Sequence, residues 1–229
     1  MTYEHVIKAA FQARPNRFVA HVLLENGMPA VAHVKNTGRC RELLVPDATV
    51  YLQDWGESHP GRKTRYDLIA VEKGALLINM DAQAPNKVFA QWAQEGGLGI
   101  TPELLRPETT WGSSRFDFYW QAGERRGFVE VKGVTLERDG HACFPDAPTL
   151  RGVKHLNELV QAKQAGYEAA VCFVIQMAGM RDFSPNDETH PAFGQALRRA
   201  AAAGVEVLAW GCHVEPNVLL PGPPVPVIL

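Results

Sequence analysis

Three things are scarce in this chain of 229 residues, and each scarcity closes off a class of protein. The four cysteines, Cys40, Cys143, Cys172 and Cys212, contain no Cys-x-x-Cys pair, which argues against a zinc ribbon and against a disulfide framework. Buried free thiols are the expectation. No apolar run approaches the roughly 20 residues that span a bilayer, and the first residues lack the apolar stretch of a secretory signal, so a cytoplasmic protein with no membrane partner is expected. Net charge is scarce too: a formal charge of −2 is not that of a polybasic, histone-like chain, so any grip on nucleic acid must come from local basic clusters. Repeats and low-complexity tracts are missing, as is a helix-turn-helix with a basic recognition helix; the last helical stretch offers Arg198 and Arg199, then a run of Ala and Gly from 200 to 204.

What is present reads as two units. With 46% hydrophobic and 21% charged residues the chain can build a sizeable core, and its length suits one large domain or two small ones. Between Arg17 and Asp81 the pattern is a run of short strands: Phe18 to Leu24 and Ala30 to Val34 around the turn Glu25-Asn26-Gly27, then Thr49 to Leu52, Tyr66 to Val71 and Ala75 to Met80. Five short strands in so small a segment suit a closed barrel of the OB type, with other small barrels left open; residues 1–82 are taken as this unit. From Pro85 the period lengthens. A helix through Val88, Phe89 and Trp92 ends at Gly96-Gly97, an apolar segment follows near Leu104, and a helix from Arg151 to Ala165 carries Thr149 as its candidate N-cap. A buried strand over Ala169 to Gln176, a helix over Phe193 to Ala203 and a strand over Val205 to Trp210 complete an α/β unit with a mixed sheet over 83–229, and the Pro-rich end from Pro216 to Pro226 is expected as an ordered surface tail.

The chemistry concentrates in a hairpin inside the second unit. Ser114-Arg-Phe-Asp117-Phe and Glu130-Val-Lys132 flank the polar stretch Gln121 to Arg126, and a turn centred between Gly123 and Glu124 makes paired residue numbers sum to 247. Asp117 then lies opposite Glu130, and Arg115 opposite Lys132. Side chains two apart on a strand share a face, so Glu130 and Lys132 point together while Val129 and Val131 turn into apolar packing. Two adjacent carboxylates repel unless a cation lies between them, and oxygen ligands suit Mg2+ or Mn2+. Lys132 would add a fixed positive group to orient a water or meet charge developing on a phosphate. The competing reading of Glu-x-Lys is an exposed ion-pair stripe; the apolar neighbours Phe116, Phe118, Tyr119 and Phe128 favour a well-packed hairpin instead.

These residues, with Asn16-Arg17-Phe18-x-Ala20, Asn36-Thr37-Gly38, Phe144-Pro-Asp-Ala147, Thr149-x-Arg-Gly-x-Lys-His-Leu-x-Glu-Leu159, Phe183-Ser-Pro185 and Gly204 to Ala209, resemble the sugar fermentation stimulation protein A family along nearly the whole chain. The second unit resembles the PD-(D/E)xK nucleases, with Phe116 standing where that superfamily's Pro-Asp has its proline. The resemblance implies an OB-like amino-terminal domain, a restriction-endonuclease-like carboxy-terminal domain, binding of DNA with little sequence preference, and a link to regulation of maltose metabolism. It also implies that the helix after the hairpin packs beside a metal site. On it Arg151, Lys154, His155 and Glu158 fall at i, i+3, i+4 and i+7, one side of the helix, so Lys154 or Arg151 becomes a candidate to hold phosphate. A solvated amphipathic face is the plainer reading of the same spacing.

A second basic constellation lies in Lys35-Asn36-Thr37-Gly38-Arg39-Cys-Arg41, where three cations within seven residues could grip phosphate and Asn and Gly permit a tight turn; a solvated loop is the alternative. Arg14, Arg17, Arg62, Lys63 and Arg65 are candidates to extend that face, and Phe18, Tyr51, Trp55 and Tyr66 to stack bases. Asp146 and Glu108 are further candidate acids. Two functions follow: a Mg2+- or Mn2+-dependent nuclease with Asp117 and Glu130 as metal ligands and Lys132 beside them, or a catalytically silent, sequence-nonspecific DNA-binding regulator.

Overall fold

A computed structural model describes residues 1–36, 38–57 and 61–229; Thr37, part of the basic constellation, lies outside the described residues. The chain opens with β1 (Val6–Asn16), β2 (Val19–Leu24), β3 (Pro29–Val34), β4 (Thr49–Asp54), β5 (Tyr66–Lys73) and β6 (Leu76–Asn79). β1 pairs with both β2 and β4, β2 with β3, β4 with β5, and β3 runs parallel to β5, which closes a five-stranded barrel; β6 is added outside the ring on β5. The barrel is of the OB type, as expected, but its strands differ from the five read in the sequence. β1 was not anticipated. Its segment Val-Ile-Lys-Ala-Ala-Phe-Gln-Ala-Arg-Pro-Asn is rich in residues that favour helices, and its pairing with two neighbours overrides that preference.

The second unit contains α1 (Ala84–Gln94), β7 (Leu104–Trp111), β8 (Ser114–Ala122), β9 (Arg125–Val134), β10 (Leu136–Arg138), β11 (His141–Phe144), α2 (Leu150–Gln164), β12 (Glu168–Ile175), β13 (Asp182–Pro185), α3 (Pro191–Ala202), β14 (Glu206–Glu215) and β15 (Val218–Pro224). Its main sheet has the order β15-β14-β12-β9-β8-β7, with β9, β12 and β14 parallel and the outer strands antiparallel to their neighbours. A small sheet, β10-β11-β13, stands beside it. The Pro-rich end is a strand and not a tail: β15 pairs with β14, and Val227 bridges to Phe183. Prolines survive there because β15 is an edge strand, where a missing N–H costs no ladder bond on the open side.

Each face of the sheet has its cover. Val129, Val131, Cys172, Val174 and Trp210 pack with Val88 and Phe89 of α1. On the opposite face Phe128, Val171 and Phe173 join Leu156 and Leu159 of α2 and Leu197 of α3, and this core is continuous with the barrel interior around Val50, Leu52 and Leu68. The units are therefore fused through one apolar core. A buried polar cluster ties the same seam: Gln176 donates to Asn79 at 2.9 Å and to the Asp81 carbonyl at 3.1 Å, Asn79 donates to Tyr3 at 3.0 Å, and Tyr3 donates to Asp81 at 3.2 Å. Every one of these groups is satisfied, as burial requires.

α2 starts where the sequence places it, with the Thr149 hydroxyl accepting from the Gly152 N–H at 3.0 Å. β8 and β9 are joined by a two-residue turn in which Gly123 has φ 59°, the first-position glycine of a II′ hairpin turn. That turn fixes the register that brings the site residues together.

Candidate functional site

The β8–β9 ladder runs from Ala122↔Arg125 to Phe118↔Val129, each pair summing to 247 as the sequence predicts, and there it stops. Asp117 and Glu130 are the next residues on their strands. Instead of continuing the ladder, Asp117 turns its carboxylate onto β9: Oδ2 accepts from the Val131 N–H at 2.8 Å, and Oδ1 accepts from the Asn86 amide at 3.0 Å. Arg115 consequently does not face Lys132; its guanidinium lies 3.4 Å from Glu108, and both are exposed.

Glu130 lies on the α2 face of β9 and is 3% exposed. Its Oε1 is bonded to both Lys132 Nζ and His155 Nδ1, and its Oε2 is buried with no hydrogen-bond partner among the described residues. Arg151 Nε lies 3.3 Å from His155 Nε2, while the Phe116 ring meets the imidazole edge-on at 6.1 Å between centroids. Burial raises the Asp117 carboxyl above its ordinary value, and the Glu130 charge adds to that; Lys132 and the two donated bonds offset part of the effect. For Glu130 burial also pushes upward, but the bonds from His155 and Lys132 outweigh it and hold the carboxyl below its ordinary value. The site thus keeps one carboxylate firmly ionised beside a second that pays for its burial.

Gly133 explains how α1 reaches this point. A Cβ there would stand 2.8 Å from Pro85 and 2.5 Å from Gln176 Oε1, so glycine lets the start of α1 close onto the end of β9, next to Asn86. Asn86 carried no signal in the sequence, since it precedes Asp117 by 31 residues on another element. His155 had a signal, its place on the α2 stripe, but that stripe is divided in the structure: His155 and Glu158 are buried against the sheet, while Arg151 and Lys154 are exposed. Glu158 accepts from Ser113 at 2.7 Å and lies 3.7 Å from Lys154, which itself donates to the Ser113 carbonyl at 3.0 Å. Lys154 therefore ties α2 to the β7–β8 turn. With Arg115, Arg151, Leu150 and His155 it lines a groove of about 410 Å³ that runs up to the buried cluster.

The remaining candidates lie elsewhere. Asp146 packs against the barrel loop, where a Cβ on Gly38 would stand 2.5 Å from its Oδ2, and it shares a cavity of about 110 Å³ with Asn36, Gly133 and Gln176. Lys35 is 14% exposed and donates to Asp81 at 2.6 Å, so it serves the seam between the units. Arg14 holds the loop by donating to the carbonyls of Arg17, Asn36, Gly38 and Arg39. Arg17, Arg39 and Arg41 are exposed around a cleft of about 290 Å³ next to it, and among the described residues Arg39 and Arg41 make no side-chain bond. Arg62 is paired with Asp67, and Arg65 with Asp54 at 2.6 Å, which leaves neither as a free cation. Of the four candidate stacking rings, Phe18 is 47% exposed; Tyr66 is buried, Tyr51 donates to Glu72 at 2.7 Å, and Trp55 donates to Asp67 at 3.0 Å.

Among the described residues, no group of three or more His, Cys, Asp or Glu side chains gathers in a metal-holding arrangement. The donor set nonetheless fits a hard cation. Two carboxylates supply oxygen, the buried Oε2 of Glu130 has no partner among the described residues, and Mg2+ commonly takes one or two protein carboxylates with the rest of its shell from water and phosphate. No helix among the described residues is long and apolar enough to cross a membrane.

Fold and site together define a two-domain protein, an OB barrel fused to an α/β domain that carries a carboxylate–lysine cluster at the end of a hairpin. The chain belongs to the sugar fermentation stimulation family: residues 13–80 match the family's SfsA N-terminal OB domain, and residues 83–218 match its sugar fermentation stimulation protein RE domain. A sugar fermentation stimulation protein homolog of Desulfitobacterium hafniense strain Y51 is 54% identical over 222 residues, covering 97% of this chain and 96% of the relative. A Clostridium beijerinckii homolog is 49% identical over 215 residues, 94% of each chain. The solved structure of SfsA from Pyrococcus furiosus in complex with Ca2+ superimposes with a TM-score of 0.90 at 27% identity, over 100% of this chain and 98% of that one.

Proposed function

We propose that the protein is a Mg2+- or Mn2+-dependent phosphodiesterase acting on nucleic acid, with DNA as the expected substrate and little sequence preference. The observation that carries this reading is the buried Oε2 of Glu130, without a partner among the described residues and beside the Asp117 carboxylate, with Lys132 on Glu130 Oε1. Asp117 and Glu130 would hold the cation, which when bound would polarise a phosphoryl oxygen and lower the pKa of a water. That the related Pyrococcus furiosus protein was solved with Ca2+, another oxygen-seeking cation, supports a cation in this family.

The chain's own residues supply the rest. Lys132, 18% exposed, stands at the boundary between the buried carboxylate and solvent, where its ammonium can meet charge developing on a phosphate. Arg151 lines the groove that runs up to His155 and gives the polynucleotide backbone a cation to follow, joined there by Arg115 and Lys154 once phosphate replaces their exposed contacts to Glu108 and the Ser113 carbonyl. On the barrel, Arg17, Arg39 and Arg41, with Asn36, form the second phosphate-binding face, and these contacts carry no base readout. Incubation of pure protein with labelled single- and double-stranded DNA and RNA, in Mg2+, Mn2+ or EDTA, beside Asp117→Asn, tests the proposal. Cleavage that needs metal and is lost in the variant supports it; intact substrate in every condition sinks it.

A second reading, a catalytically silent DNA-binding regulator linked to sugar metabolism, has an observation of its own. Lys132 offsets the Glu130 charge and His155 bonds the same oxygen with no metal ion needed, so the cluster can serve as a structural element.

A further inference from the structure

The contacts of Glu130 all fall on one of its two oxygens. Both donors, Lys132 Nζ and His155 Nδ1, converge on Oε1, and among the described residues nothing shares Oε2 although it is buried. A carboxylate free to rotate would divide two donors between its oxygens, because each oxygen has two lone pairs and a buried one without a partner is costly. Something therefore holds the group with one oxygen loaded and the other bare. Lys132 has a long, flexible stem and leaves the cluster 18% exposed, so it follows the carboxylate rather than fixing it. His155 is rigid: its side chain is 5% exposed, it belongs to α2, and the Phe116 ring closes on its edge.

Which nitrogen of His155 carries hydrogen follows from its other contact. The Arg151 Nε–H can only donate, and it lies 3.3 Å from His155 Nε2. Nε2 must then present a lone pair, which leaves the hydrogen on Nδ1, facing Glu130 Oε1. We infer that His155 is a positioning residue: fixed by Arg151 as the Nδ1–H tautomer, it clamps Glu130 by Oε1 and so presents the bare Oε2 to a divalent cation. This rests on the cation reading given under Proposed function and adds to it a role for two residues on α2. It also connects the exposed groove to the buried carboxylate, since Arg151 lines that groove.

Two measurements test it, and they fail separately. In metal-free protein, two-bond 15N–1H correlation spectra of the histidine rings report the tautomer directly. His155 is expected to carry its hydrogen on Nδ1 in the wild type and to become a mixture of tautomers in Arg151→Met; hydrogen on Nε2, or on both nitrogens, overturns the inference whatever the metal does. Second, the amide of Asn places a donor where Nδ1–H stands, whereas that of Gln places it where Nε2 stands. Calorimetric Mn2+ titration should give His155→Asn close to wild-type affinity and His155→Gln roughly 10- to 100-fold weaker, with folding of both confirmed by thermal melts. Equal affinities for the two variants overturn the positioning role while leaving the cation reading standing. A wild type that takes up no Mn2+ overturns both.

Discussion

Asp117 Oδ2 accepts the Val131 N–H at 2.8 Å, so the carboxylate of one strand replaces a ladder bond of the other, on the residue that lies between Glu130 and Lys132. This contact fixes Asp117 beside the glutamate and ends the hairpin ladder at the place where the chemistry begins. It also makes the two acids unequal. Asp117 suffers from burial and from the Glu130 charge, whereas Glu130 is held by Lys132 and His155. Both amide substitutions, Asp117→Asn and Glu130→Gln, should weaken Mn2+ binding, but their effects on metal-free stability should differ. In Asp117→Asn the amide oxygen can still accept from Val131, and Asn86 can rotate to accept from the new NH2, so stability at pH 7 should stay level or rise. In Glu130→Gln two donors lose an anionic partner, and stability should fall by about 1–3 kcal/mol. Calorimetry with Mn2+ and denaturant unfolding without it read both; unchanged Mn2+ affinity in both variants removes the site.

The barrel prediction separates cations that are free from one that is not. Replacing Arg39 and Arg41 by alanine should flatten the dependence of DNA affinity on salt, since each phosphate contact on a single strand contributes about −0.7 to the log–log slope. Lys35 is bonded to Asp81, which is wholly buried, so Lys35→Ala should instead lower stability by about 2 kcal/mol by leaving that carboxylate with its Tyr3 and Gln83 donors but no counter-charge. Electrophoretic or fluorescence titrations at several salt concentrations, with melts of the same samples, distinguish the outcomes. An unaltered slope in the double variant would move the binding face off this loop.

What the sequence carried was what is local. The hairpin register followed from one turn, the α2 start from one threonine, and the shared face of Glu130 and Lys132 from the period of a strand. What it hid was non-local. β1 is a strand because β2 and β4 flank it, β15 because it finds an edge, and Asn86 reaches Asp117 because Gly133 lets α1 close in. The basic loop shows the same limit: three cations look alike in the sequence, and only the fold shows that Lys35 is committed to the seam.

Acid should loosen that seam in a defined window. Lys73 of β5 is bonded to Glu137 of β10, and this bond chiefly holds the Glu137 carboxyl below its ordinary value of 4.5, burial opposing it. A depressed carboxyl contributes stability that is complete above its unfolded value and is lost as pH falls through the folded one. Between pH 5 and pH 3 the wild type should therefore lose about 1 kcal/mol more than Lys73→Met, which lacks the pair at every pH. Unfolding curves across that range check it; parallel pH profiles for the two proteins would show that the ion pair contributes nothing.

Lys132 offers the sharpest separation of chemistry from structure, because it is bonded to Glu130 and still reaches the solvent boundary. If it acts on charge that develops in the transition state, Lys132→Met should reduce cleavage by about 10²- to 10³-fold while DNA affinity stays within about twofold of wild type. His155 remains on Glu130 Oε1 in the variant, so the carboxylate keeps one donor and the fold should persist with a modest loss of stability. A lysine that merely balances the glutamate predicts the reverse: a clear drop in stability, with cleavage per folded molecule nearly unchanged. Turnover, DNA affinity and unfolding measured on one preparation decide between them, and full activity per folded molecule in Lys132→Met would remove the lysine from the reaction.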